Sequence, residues 1–153
     1  MNDVSIQEII SRAKRLCEMR GGKLTAKRQK VLTILLQAEK AISAYELIDH
    51  FSEQFDEALT PMSAYRILEF LESVHLAHKL NIANKYVACN QINETVKHTF
   101  PQLLFCDKCQ KVDEIAMPIT SLETISQTLH SNGFMLSSPQ LEMACICHQC
   151  SNV

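Results

Sequence analysis

An α+β fold in two parts, an N-terminal winged helix-turn-helix followed by a small zinc-stapled α/β half, is predicted for this 153-residue chain by three observations. Capped amphipathic helices follow one another to about residue 75 and then give way to two short strand patterns. A polar stretch without sustained periodicity comes next. Two Cys-x-x-Cys knuckles, Cys106/Cys109 and Cys147/Cys150, bracket the remaining half.

From Ser5 to about Arg20 the residues Ile6, Ile9, Ile10, Ala13, Leu16 and Cys17 recur at helical spacing, and Gly21-Gly22 ends the run. Thr25 caps a second helix through Glu39, with Val31, Leu32 and Leu35 on its apolar stripe. Ser43-Ala44-Tyr45-Glu46 is a capping box and opens a third helix to about Gln54. Thr60-Pro61 pairs a capping hydroxyl with proline at the first helical position, and Ile67, Leu68 and Leu71 of the helix that follows face inward. LAHKLNI and KYVAC read as strands joined by a tight Ala83-Asn84 turn, which gives the wing. After Cys89 the stretch NQINETVKHTFPQ reads as a linker. The expected divisions are therefore 1–89, 90–101 and 102–153. In the last of these, LLFC leads to the first knuckle, and VDEIAM, FMLSS and QLEMACIC read as strands. A helix from about Ser121 carries Leu122, Ile125 and Leu129, and Gly133 ends it.

Composition narrows the class of protein. Hydrophobic residues at 46% and charged residues at 21% match a globular chain and exclude a disordered, fibrous or coiled-coil one. The longest apolar runs, such as VLTILL from Val31 to Leu36, fall well short of the roughly 18 residues that cross a bilayer. The N-terminus has no basic region followed by an apolar core, so a cytoplasmic protein without a membrane partner is expected. Seven cysteines in such a chain point to metal ligation or free thiols ahead of disulfides. Net charge is −2 but unevenly spread. Residues 12 to 30 hold eight basic groups (Arg12, Lys14, Arg15, Arg20, Lys23, Lys27, Arg28, Lys30) against the single acid Glu18. Beside a helix-turn-helix, such a run reads as a phosphate-facing surface; alone it reads as a solvated helix face.

The knuckles carry the strongest chemical signal. Two residues between cysteines let both thiolates of a knuckle reach one tetrahedral ion, and two knuckles complete the four ligands of a structural zinc site. With every position filled by sulfur, Cys106, Cys109, Cys147 and Cys150 leave no place for substrate. A thioredoxin-like redox pair is disfavoured because neither knuckle opens a helix in a βαβ unit. Further potential ligands are His78 and Cys89 on the hairpin and His98 in the linker. Each alone reads as a surface histidine or a small buried thiol. Together they flank the joint between the halves, and Glu114 could add a carboxylate from the other side. A Cys-His-His-Glu set would be tetrahedral, and its thiolate favours zinc over manganese or ferrous iron.

LTAKRQKVL, ISAYEL and PMSAYRILEFL, the hairpin, the linker and the paired knuckles together resemble the ferric uptake regulator family from about residue 10 to the end, and within it the zinc-responsive branch. The resemblance implies a dimeric, metal-responsive transcriptional repressor with a C-terminal α/β dimerisation domain, and no enzyme. It implies structural zinc on the four knuckle cysteines and regulatory zinc on His78, Cys89, His98 and Glu114, two ions per chain, with Asp113 a rival to Glu114. It also implies that Tyr65 and Arg66 touch a pseudo-palindromic DNA operator, helped by Ser63, Arg28 and Lys27. The chain departs from the family pattern in reading Ser63-Ala64-Tyr65-Arg66 where members carry Thr-Val-Tyr-Arg, and in having a single linker histidine and no histidine-rich tail. The single linker histidine counts against iron, manganese and peroxide sensing, the missing tail against an accessory metal site, and the Ser63-Ala64 change bears on base preference. The alternatives carried forward are an iron- or peroxide-responsive regulator of the same fold, a zinc-ribbon thiol oxidoreductase and a zinc-stapled interaction module. No small organic substrate is expected. Cys17 and Cys145 are expected in buried packing, and His148 in solvent.

Overall fold

In the computed structural model, which describes residues 3–93, 101–138 and 140–152, hydroxyl caps set three of the helix starts. The chain divides into two units, Met1–Thr95 and Val96–Val153. The first holds helices α1 (Asp3–Met19), α2 (Ala26–Gln37), α3 (Ala44–Phe55) and α4 (Pro61–Ser73) and strands β1 (Ala77–Leu80) and β2 (Lys85–Ala88). Thr25 Oγ1 accepts from the Arg28 N–H at 3.4 Å, and Thr60 Oγ1 from the Ser63 N–H at 3.3 Å, with Pro61 at the first helical position. At α3 the capping box is complete: the Glu46 N–H donates to Ser43 Oγ at 3.1 Å, and the Ser43 N–H donates to Glu46 Oε2 at 2.6 Å.

The Ser43 N–H, with Lys85 close by, holds the Glu46 carboxyl below its ordinary pKa. A depressed folded pKa stabilises the fold above the unfolded value, and that contribution disappears as pH falls through the folded value. Ser43→Ala is therefore expected to lower stability by about 1 kcal/mol at neutral pH, read as a shift in the urea midpoint without a change of slope.

The core of this unit joins α1 to α4 through side chains such as Cys17, Leu32, Leu47, Phe51, Leu68 and Leu71, all buried. Gly21 ends α1 with φ +74°, the left-handed conformation that favours glycine. Gly22 follows because a Cβ there would stand 3.0 Å from the Phe70 ring. The hairpin pairs Ala77 with Ala88 and Leu80 with Lys85, and Tyr86 exchanges backbone bonds with Ile42 at 3.1 and 2.8 Å. The turn is wider than the tight Ala83-Asn84 connection that the sequence suggests. Four residues, Asn81 to Asn84, join the strands, and Asn84 supplies a positive φ of 49°. Past Cys89, the stretch Asn90–Asn93 forms one 3₁₀ turn that sets Ile92 into the core.

The second unit holds β3 (Gln102–Cys106), β4 (Val112–Ile115), helix α5 (Ile119–Ser131), β5 (Leu141–Cys145) and the short helix α6 (His148–Ser151). The sheet runs β4-β3-β5, antiparallel across β3 and β4 and parallel across β3 and β5. FMLSS does not form the expected strand. Gly133 ends α5 at φ +81°, and the Phe134 N–H closes that end on the Leu129 carbonyl at 2.9 Å, while residues 134–138 stay irregular and exposed. Alternation in five residues supplies no neighbouring strand by itself. Leu122, Ile125 and Leu129 are only half-buried, and Ile115, Ile119, Phe134 and Ile146 are exposed. This unit leaves apolar surface uncovered. Among the described residues no helix is long and apolar enough to cross a membrane.

Candidate metal centre and nucleic-acid surface

The knuckle cysteines sit where the sheet of the second unit ends. Cys106 is the last residue of β3, and the turn after it closes through Gln110, at φ +62°, whose N–H donates to the Cys106 carbonyl at 2.8 Å. Cys147 stands at the N-cap of α6, and Cys150 lies in its single turn. All four sulfurs lie within 4.8 Å of one another. Cys109 Sγ and Cys147 Sγ are 3.7 Å apart, which matches the edge of about 3.8 Å for a tetrahedron with Zn–S bonds of roughly 2.3 Å, not a disulfide of about 2.05 Å. None of the seven cysteines is in a disulfide.

The four thiols differ in their surroundings. Backbone N–H groups of Cys109 and Cys147, the latter 3.3 Å from the sulfur, draw Cys106 down to about 6. Cys150 is pushed up to about 12 by its hydrogen bond with Cys147 and then by burial. All four thiols must be deprotonated to act as ligands, and a bound cation is what makes that favourable for sulfurs this close together. The donor set fits zinc in a closed site with no open position.

The second set of expected ligands divides between the units. His78 in β1 and Cys89 just past β2 are 6% and 1% exposed, and their ligand atoms lie within 4.8 Å of each other in the first unit. The backbone holds Cys89 there, since its N–H donates to the Leu76 carbonyl at 3.0 Å. Glu114 lies on β4 of the second unit, in register with Leu103. Its rival Asp113 projects from the opposite face of the strand and pairs with Lys111 at 3.0 Å. His98 lies outside the described residues.

The expected DNA contacts also divide. Tyr65, 39% exposed, and Arg66, also exposed, stand on the outer side of the first turns of α4. Ser63 accepts from the Thr60 hydroxyl at 2.9 Å and so belongs to the cap. The Arg28 guanidinium lies 3.5 Å over the Phe70 ring and donates to the Lys23 carbonyl at 2.7 Å, which ties the α1–α2 turn to α4. Lys27 and Lys30 both pair with Glu57, at 3.3 and 2.5 Å, and Arg20 donates to the Val74 carbonyl. Half of the basic run therefore makes contacts within its own unit. Lys14, Arg15 and Lys23 remain exposed.

Tyr45 in the first turn of α3 and Met62 in the first turn of α4 are exposed near the helix starts and drew no assignment from the sequence. The capping signals that start both helices were the available clue, since they place these side chains beside Ser43 and Thr60. Cys17 is buried and His148 exposed, as expected, whereas Cys145 is only half-buried at the end of β5. Cys145 departs from the expected buried packing because β5 is one of the two edge strands of an incompletely covered sheet.

The sequence profile of the Ferric uptake regulator family matches residues 19–144. Over 154 residues the chain is 32% identical to the zinc uptake regulation protein of Escherichia coli (strain K12), covering 100% of this chain and 87% of the relative. Identity to the ferric uptake regulation protein of Bacillus subtilis (strain 168) is 27% over 147 residues, covering 93% and 94%. Among solved structures, a zinc uptake regulator complexed with zinc and DNA is similar at a TM-score of 0.79 and 32% identity, covering 96% of this chain and 95% of that one.

Proposed function

Because the chain belongs to the ferric uptake regulator family, we propose that it is a zinc-responsive transcriptional repressor that binds a pseudo-palindromic operator as a zinc-loaded homodimer and controls genes of zinc uptake. The observation that carries this reading is the buried pair of His78 and Cys89 on the wing of the helix-turn-helix unit. A soft thiolate and an imidazole there attach a metal-ligand pair to the element next to the DNA-reading helix, and the thiolate favours zinc over iron or manganese. The zinc uptake regulation protein of Escherichia coli and the zinc- and DNA-bound structure support the same choice through their similarity. A thiol oxidoreductase is disfavoured, since four sulfurs within 4.8 Å of one another suit a closed tetrathiolate metal site.

In this reading Cys106, Cys109, Cys147 and Cys150 hold a structural ion, and His78, Cys89, His98 and Glu114 hold a regulatory one, two zinc ions per chain. When bound, the regulatory ion supplies positive charge and a tetrahedral geometry. His78 and Cys89 anchor the wing to it, while His98 and Glu114 tie the rest of the chain to the same point and so fix the angle of α4. Tyr65 and Arg66 then reach the major groove, and two protomers place two α4 helices on half-sites of one duplex face. The exposed apolar surface of the second unit is what a second copy would cover.

Removing Arg66 is expected to weaken specific binding by about 1 to 3 kcal/mol if the side chain reaches a base edge. Lys27→Ala is expected to lower the salt slope by less than about one, because Glu57 already competes for that ammonium group. Gel shifts at matched salt, using a duplex selected from a random library by the zinc-loaded protein, measure both. If Tyr65→Ala and Arg66→Ala both bind like the parent, DNA is not read by α4.

The metal assignment is tested by titrating protein that retains only its structural zinc with zinc, ferrous iron and manganese while following binding to the selected duplex. Zinc is expected to act at the lowest free concentration. A response to iron or manganese below the concentration needed for zinc would transfer the chain to the iron- or manganese-responsive reading.

A further inference from the structure

The second unit contains a fifth cysteine, Cys145, that the knuckles do not use. Resting on the reading of the four knuckle cysteines as a zinc site, we propose that Cys145 is the resolving thiol of a peroxide-sensitive modification site, forming a reversible disulfide with Cys106 that expels the structural zinc. Four observations support it.

Cys145 and Cys106 are register partners at the ends of the parallel strands β5 and β3. Registered residues on adjacent strands point to the same face, with Cα atoms about 4.8 Å apart, inside the roughly 4.4 to 6.8 Å spanned by disulfides. The pairing continues past the strand end, where the Asp107 N–H donates to the Cys145 carbonyl at 3.0 Å, so the two backbones stay together at this point. Both cysteines line one cavity of about 360 Å³, shared with Cys147, Lys111 and His148, which is room for a small oxidant. Finally, Cys145 is half-buried, and among the described residues the hydrogen bond given for its sulfur is the long one, 3.5 Å, to the Met143 carbonyl of its own strand.

The chemistry needs a hydroperoxide as oxidant and balances in two steps. The Cys106 thiolate attacks one oxygen of the peroxide, the O–O bond breaks, and sulfenic acid and hydroxide form. The Cys145 thiol then attacks the sulfenic sulfur, an S–S bond forms, and the sulfenic oxygen leaves as water with the Cys145 proton. Zinc is left with three thiolates. Thiol–disulfide exchange with a dithiol reverses the link and restores both thiols.

The test uses the full chain in its zinc-loaded form, with zinc content measured before any oxidant is added, so that absence of tetrathiolate zinc is recorded apart from the redox result. Hydrogen peroxide is then added, zinc release is followed with a chromogenic chelator, and disulfides are mapped by mass spectrometry. No Lys or Arg follows Lys111, so trypsin leaves Cys145, Cys147 and Cys150 on one peptide. Fragment ions between Cys145 and Cys147, and the variant Cys145→Ser, therefore identify the partner of Cys106. The expected result is a Cys106–Cys145 link that appears in step with zinc release, both reversed by dithiothreitol. In Cys145→Ser that link is absent, and most of the released zinc is not taken up again after reduction, because sulfenic acid without its resolving thiol proceeds to sulfinic acid. Disulfides confined to Cys106/Cys109 and Cys147/Cys150, a Cys145 that stays alkylatable throughout, or the same reversible release in Cys145→Ser would each overturn the proposal.

Discussion

Replacing Cys89 with serine is expected to abolish the zinc-dependent gain in operator affinity while leaving the dimer and the tetrathiolate zinc in place. The substitution removes the one soft ligand of the proposed regulatory set with almost no change in volume, at a position that is 1% exposed and backbone-bonded to Leu76. Even outer-sphere partners of a metal ligand are worth about 10- to 100-fold in affinity, so losing a ligand itself is expected to raise the half-maximal zinc concentration by about 100-fold or more. A ligand shifts a conformational equilibrium only by its differential affinity for the two states, and the switch therefore fails with the site. Operator affinity with and without added zinc, zinc per chain and dimer mass are the readouts. A Cys89→Ser protein that binds operator at the parental zinc concentration would remove Cys89 from the sensor. One that loses its secondary structure would place Cys89 in the scaffold.

Cys106→Ser is expected to produce the opposite pattern: loss of one zinc per chain, loss of the dimer and loss of structure in the second unit. Structural zinc contributes roughly 10 to 16 kcal/mol of binding energy in small domains, which exceeds what a unit of this size with half-buried helix residues gains from its apolar core. Serine cannot replace the thiolate that two backbone N–H groups orient. Circular dichroism, dimer mass and zinc content measure the effect. Parental values for all three would show that the knuckles do not staple this unit.

What could be read from the sequence follows the range of each interaction. Caps act over three residues, so Thr25, Ser43 and Thr60-Pro61 announced three helix starts correctly. Knuckle spacing is equally local, and it announced the four sulfurs that the fold brings together. The basic run was only partly legible because partners of several of its charges come from far along the chain. Lys27 and Lys30 share Glu57, roughly thirty positions away, and Arg28 stacks on Phe70. Nothing in local composition signals such partners. FMLSS failed as a strand because a strand needs a neighbour that the alternating pattern does not supply, and the end of α5 had already taken the Phe134 N–H. The half-burial of Cys145 was hidden for the same reason, since an edge strand cannot be recognised before the sheet order is known.

The regulatory ligands lay between these cases. His78 and Cys89 carry no periodic signal and are eleven positions apart, yet the hairpin register sets one near the other. The resemblance to a family pointed to them where spacing was silent. Asp113 and Glu114 could not be separated by adjacency, but strand alternation separates them: Asp113 pairs with Lys111, and Glu114 faces the other way.

The most direct test of the account follows operator binding by fluorescence anisotropy while zinc is added stepwise to metal-free protein, with zinc per chain measured at each step. If the knuckles are scaffold and the set that includes His78 and Cys89 is the switch, the first equivalent restores structure and dimer without specific operator affinity, and the second raises that affinity. Full operator affinity at one equivalent, or no gain between one and two, would contradict it.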